Sequence, residues 1–149
     1  MFGHYVDKVL QPGEQVRYRA SLHWILYWPG ALLGILAAGL YMATSNGFVR
    51  LVAVLLIAAG LMLLAREWFI WWTTEIAVTN RRVIYKTGFI SRKTTEMHMD
   101  KVESVDVDQP VLGRILDFGD VIVRGAGSGI EPIRQVASPL ELRNHITGV

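Results

Sequence analysis

The sequence predicts an α+β protein: a transmembrane α-helical hairpin joined to a small antiparallel β-barrel with a C-terminal helix. Three observations lead there. Residues 24–43 and 51–65 contain no charged side chain, and only a short polar stretch separates them. All five tryptophans sit at the open end of that pair, at positions 24, 28, 68, 71 and 72. From residue 74 onward, apolar and polar residues alternate in short runs punctuated by turns.

The first span, residues 24–43, is twenty residues long. At about 1.5 Å per residue it matches a hydrocarbon core of roughly 30 Å. The second, residues 51–72, is long enough as well. Thr44, Ser45, Asn46 and Gly47 form the connecting turn, so the two helices are antiparallel. Indole rings favour the headgroup level, with the ring body in the apolar region and the N–H in water. Arg17, Arg19, Arg81 and Arg82 flank the open end and Arg66 lies near the exit of the second span, whereas the turn side has only Arg50. The positive-inside bias therefore places both termini in the cytoplasm. Gly30, Gly34 and Ala38 follow a small-xxx-small spacing that permits close helix approach, within the hairpin or between copies. Arg66 and Glu67 either snorkel to the interface or meet a lipid phosphate or a neighbouring subunit. As adjacent residues on a helix they are not evident partners for each other.

Three domains follow: 1–23, 24–72 and 73–149. In the first, Pro12-Gly13 marks a turn. Val16, Tyr18, Ala20 and Leu22 then alternate with polar residues, as in a strand that joins the cytoplasmic sheet. After the hairpin, strands are expected over 74–79, 83–87, 92–99, 121–124 and 130–136. Another around Val105 and Val107 follows a bend or bulge near Lys101. Residues 110–118 break the alternation as a helical turn or compact loop. Ser138, Pro139 and Glu141 read as a capping box that starts a helix with Leu142 and Ile146 on its buried stripe.

Several of these segments carry a family resemblance. The run from Ile76 to Tyr85, then Gly88 to Lys93, then Asp100 to Val105, and Leu112-Gly113-Arg114-Ile115-Leu116-Asp117-Phe118-Gly119, resemble the bacterial pleckstrin-homology-domain membrane proteins. The opening Pro12-Gly13-Glu14-Gln15-Val16 and His23-Trp24 fit the same layout. The resemblance implies a pleckstrin-homology-like (PH-like) barrel closed at one end by the C-terminal helix, and implies no enzymatic activity.

The residues themselves exclude several chemistries. There is no cysteine, hence no disulfide, thiolate metal site or cysteine nucleophile. A formal net charge of +2 is too small for a nucleic-acid footprint by itself. Gly125 to Gly129 lacks the helix N-terminus that a phosphate cradle needs, so it reads as a hairpin turn. Glu96, His98 and Asp100 share a strand face but stand nearly 7 Å apart in succession, too far to converge on one metal. Asp106, Asp108, Asp117 and Asp120 lack a substrate groove, and Ser128 lacks a nucleophile elbow. No cofactor and no small-molecule substrate is expected. What remains is a basic cluster, Arg81, Arg82, Lys86, Arg92 and Lys93, close behind the second span; with Arg66 these are the candidate lipid or partner contacts. The expectation is a non-catalytic, membrane-tethered interaction or scaffold module that binds itself or another membrane protein. The alternative is a sensor of anionic lipid acting through the basic cluster.

Overall fold

The computed structural model describes residues 5–88, 93–125 and 132–148. The chain divides into two units, one formed by residues 24–72 and the other by the segments on either side of them.

In the first unit a 3-10 turn, Trp24–Tyr27, runs into helix α2 (Trp28–Ala43), with Pro29 in its first turn, where a missing N–H costs little. Helix α3 (Gly47–Thr73) follows directly. Asn46 caps it: its Oδ1 accepts from the N–H groups of Phe48 (3.0 Å) and Val49 (3.3 Å). The 3-10 turn with α2, Trp24–Ala43, and α3 are each long and apolar enough to cross a membrane. Their contact is backbone against backbone. A Cβ on Gly60 would lie 3.1 Å from the Gly34 nitrogen and 3.2 Å from the Gly30 oxygen. Ala37 and Ala53 are buried, whereas Ala38 is exposed. The small-residue stripe is thus Gly30, Gly34 and Ala37 rather than Ala38, because a four-residue step followed by a three-residue step keeps it facing α3, whereas two four-residue steps drift away. Arg66 and Glu67, unpaired by the sequence argument, form an ion pair, which their long side chains allow between adjacent positions.

Among the described residues the second unit contains seven strands in two antiparallel sheets. One has the order β1 (Val16–Ala20), β2 (Glu75–Thr79), β3 (Arg82–Thr87), β4 (Lys93–His98). The other has the order β5 (Val102–Asp108), β6 (Phe118–Gly125), β7 (Ile133–Ala137). The expected small, partly open barrel takes the form of two sheets. The chain leaves the first for the second at a 3-10 turn, Met99–Lys101, which interrupts what reads in sequence as one continuing alternation. At the other seam the Leu22–Val136 bridge joins the sheets, flanked by hydrogen bonds from His23 N to Gln135 O (2.7 Å) and from Ala137 N to Ser21 O (2.9 Å).

The core between the sheets contains Ile76, Val78, Val83, Met97, Val121, Val123, Ile133 and Val136. Helix α5 (Pro139–Thr147) closes it with Leu142 and Ile146. Its start differs from a capping box. Ser138 adopts φ 49°, and its hydroxyl donates to Asp117 Oδ2 (2.6 Å) instead of capping α5. A short helix, α1 (Tyr5–Val9), covers the outer face of the first sheet, where Val6 packs with Ala77 and Ile84. Helix α4 (Val111–Leu116) bridges β5 and β6 and docks through Gly113, where a Cβ would stand 2.4 Å from the Phe118 oxygen.

Candidate functional site

The densest polar cluster joins the segment before the hairpin to the strands after it. Pro12-Gly13 turns the chain with Gly13 at φ 79°, a conformation that favours glycine at the third position of a type II turn. The turn is closed by Glu14 N donating to Gln11 O (2.9 Å). It carries the Glu14 carboxylate onto the β2–β3 turn. Gln15 N and Asn80 Oδ1 (3.0 Å) and Asn80 N and Gln15 O (3.0 Å) clasp the two turns together.

Within this clasp Arg82 grips Glu14 with two prongs, Nε to Oε1 (2.9 Å) and an Nη2 to Oε2 (2.8 Å). Thr79 Oγ1 and Gln11 N each donate to the same carboxylate at 2.8 Å. The other Arg82 donors reach Glu96 Oε2 (2.6 Å) and Val9 O (2.7 Å). Glu14 and Arg82 are both buried. Burial pushes the Glu14 pKa upward, but the Arg82 hydrogen bonds, those from Gln11 and Thr79, and the Arg82 charge outweigh it and lower the value to about 2. The hydrogen bond to Glu14 in turn raises the Arg82 pKa, against the effect of burial.

Glu75 holds the opposite end of α1. Its Oε2 accepts from Val6 N (3.3 Å), and its Oε1 accepts from Lys86 Nζ (3.2 Å). Burial pushes the Glu75 pKa up, yet these hydrogen bonds and the Lys86 charge bring it below its ordinary value. The Lys86 ammonium also lies 5.5 Å from the centre of the Tyr5 ring. An acid at the N-terminus of α1 and a base on its last carbonyls match the helix dipole at both ends.

This arrangement removes two members of the basic cluster from the candidate headgroup contacts. Arg82 is buried with its donors directed to Glu14, Glu96 and Val9, and Lys86 is held by Glu75 and Tyr5. Arg81 and Lys93 are exposed; Arg92 lies outside the described residues. Arg66 pairs with Glu67. Of the small residues, Gly30 and Gly34 meet Gly60 within the hairpin, and Ala38 does not take part.

The weaker candidates are also placed. Glu96 serves Arg82, Asp106 pairs with Arg124 (2.8 Å), and Asp120 accepts from Gln135 N (2.8 Å). No group of three His, Asp or Glu side chains placed to hold a metal occurs among the described residues. Of the turn expected over Gly125 to Gly129, Gly125 ends β6 and the rest, with Ser128, lies outside them. A surface depression of about 380 Å³ is lined by Arg17, Glu141, Asn144, His145 and Gly148. Its Glu141 accepts from the Tyr18 hydroxyl (3.2 Å), and His145 stacks on the Tyr18 ring at 4.4 Å. These contacts fasten α5 to β1. Burial and the Glu141 carboxylate raise the Tyr18 pKa.

Sequence reasoning missed the Glu14–Arg82–Glu96 network. Its members are 68 and 14 residues apart, so no local spacing reveals it. The one signal was that Glu14 and Arg82 both fall within segments that carry the family resemblance.

Two antiparallel sheets of four and three strands, closed by a C-terminal helix, define a PH-like domain. The sequence profile of the bacterial PH domain family matches residues 29–148, and the chain belongs to that family. No curated protein and no solved structure matches it.

Proposed function

We propose that the protein is a non-catalytic, membrane-tethered PH-like module that binds a second copy of itself or another membrane protein, with both termini on the cytoplasmic side of a bacterial inner membrane. The observation that carries this reading is the pairing of β1 with β2, the strands on either side of the hairpin. Antiparallel pairing of the two flanks requires both ends of the hairpin to emerge on one side of a bilayer. The helices favour the membrane over a soluble core. Large side chains such as Leu55 and Met62 are exposed, and only 11% of each apolar window is buried. A helix that is apolar all round needs an apolar surrounding, and the rest of the chain does not provide it.

The anionic-lipid reading loses support, because Arg82 and Lys86 are engaged inside the domain. A protein partner agrees better with a domain in which two of the five clustered cations are already paired with acids.

The test is affinity purification of the full chain in mild detergent, with light scattering and mass spectrometry of what accompanies it. A complex of fixed stoichiometry, with itself or with one membrane protein, is the expected result. A lone monomer whose association depends only on anionic lipid would favour the lipid reading instead.

A further inference from the structure

We propose that helix α4, together with Leu140, is a wedge that lies in the boundary between headgroups and acyl chains of the same bilayer. The inference rests on the membrane-tethered reading above.

Helix α4 is inside out. A surface helix normally turns its apolar stripe toward the core. Here Val111, Leu112 and Ile115 are 75%, 65% and 72% exposed, and Leu116 is exposed as well. At about 100° per residue these four cover an arc of about 140°, with Gly113 and Arg114 outside it. Gly113 is the residue that faces the domain, because only a glycine fits against the Phe118 carbonyl. The domain thus holds α4 by a backbone contact and leaves all its apolar side chains outward. Leu140, also exposed, lies two residues beyond Ser138, whose N–H and hydroxyl both hydrogen-bond Asp117 at the end of α4.

The position of this face indicates what covers it. Phe118, two residues after α4, stacks on His23 with ring centroids 5.2 Å apart. His23 immediately precedes Trp24, the first residue of the apolar unit. The other connection is as short: Thr74 alone separates α3 from β2, and Ile76 of β2 pairs with Ala20 of β1. The outward apolar face therefore belongs to an element that ends beside His23, after which the chain continues into the hairpin, and both tethers are short in sequence. Such tethers supply a high effective concentration of bilayer, so a single turn of apolar side chains suffices. A second copy is a poorer occupant, since a stable protein interface uses roughly 20–30 residues a side and this patch has five. Arg114, exposed on the same helix, can reach headgroup phosphates from an interfacial helix.

The chain has no cysteine, so single-cysteine variants report one position each. Leu112→Cys, Ile115→Cys, Leu55→Cys and Asp106→Cys are labelled with an environment-sensitive fluorophore in the full chain. Each is placed in nanodiscs holding one copy, and quenching by aqueous iodide is measured. The expected result is several-fold weaker quenching at 112, 115 and 55 than at 106, with the labels at 112 and 115 about 5–10 Å into the headgroup and acyl boundary. Quenching at 112 and 115 equal to that at 106, with 55 protected, overturns the wedge and leaves the membrane reading standing. Quenching at 55 as strong as at 106 overturns both. Protection at 112 and 115 that occurs only in discs with two or more copies assigns the face to a second copy and overturns the wedge.

Discussion

Glu14→Gln tests the ionic clasp. The wild-type carboxylate receives four hydrogen bonds, two of them from Arg82. Glutamine keeps the size but removes the charge, leaving Arg82 buried with Glu96 as its remaining acid. Breaking a buried pair on one side costs about 3–5 kcal/mol. Glu96 is partly exposed and still neutralises some of the charge, so the lower end, about 3 kcal/mol, is expected. For a domain of about 100 residues that lowers the melting midpoint by roughly 12–24 °C. The pH dependence gives an independent figure. The Glu14 pKa falls from an ordinary 4.5 to about 2, so its contribution is complete above about 4.5 and lost as the pH drops toward 2. That descent corresponds to about 3 kcal/mol. Pulse proteolysis of the full chain across this pH range reads the stability of the β-domain. Glu14→Gln should lose stability at neutral pH and show a flatter acid limb. The double variant Glu14→Leu with Arg82→Met leaves no unpaired charge between those two positions and should recover much of the loss. A Glu14→Gln variant within about 0.5 kcal/mol of wild type, the range of ordinary surface substitutions, would mean that the clasp does not hold the domain together.

Two further predictions concern the hairpin and the surface charges. A methyl on Gly60 meets the backbone of Gly30 and Gly34, whereas one on Gly34 meets nothing within 4 Å. Gly60→Ala should therefore destabilise the hairpin by about 1–3 kcal/mol, and Gly34→Ala should be neutral or stabilise it by up to about 1 kcal/mol; helix separation measured by spin-label pairs in discs checks both. Replacing Arg81 and Lys93 by Gln should leave domain stability unchanged, because both are exposed, and should reduce any residual preference for anionic over neutral vesicles in co-sedimentation, whereas Arg82→Gln should act on stability instead.

The parts of the fold that were legible are those with a local period. Val16, Tyr18 and Ala20 alternate because one face of β1 is half-buried, and Ile76 and Val78 alternate because they enter the core. The division into two sheets was not legible. Thr95, Met97, Met99, Val105 and Val107 keep one parity across the 3-10 turn at Met99, so the sequence pattern shows no break there. Helix α1 is five residues long and depends on Glu75 and Arg82, which are distant in the chain. Ser138 has the composition of a helix cap, but a left-handed backbone and the nearby Asp117 direct its hydroxyl elsewhere. Arg82 illustrates the limit for the site. In sequence it is one of two adjacent arginines in a turn behind an apolar span. Only tertiary pairing distinguishes it, buried on Glu14, from exposed Arg81.

The proposed hairpin crosses a bilayer twice and returns both flanks to one sheet. Its direct test is the sidedness of single cysteines placed at Arg17, Arg81 and Asn46 in the full chain, labelled by an impermeant maleimide in right-side-out and inverted inner-membrane vesicles. Positions 17 and 81 are expected to react together, from the cytoplasmic face alone, and position 46 only from the opposite face. Reaction of position 46 from the same face as 17 and 81 would contradict the proposed hairpin.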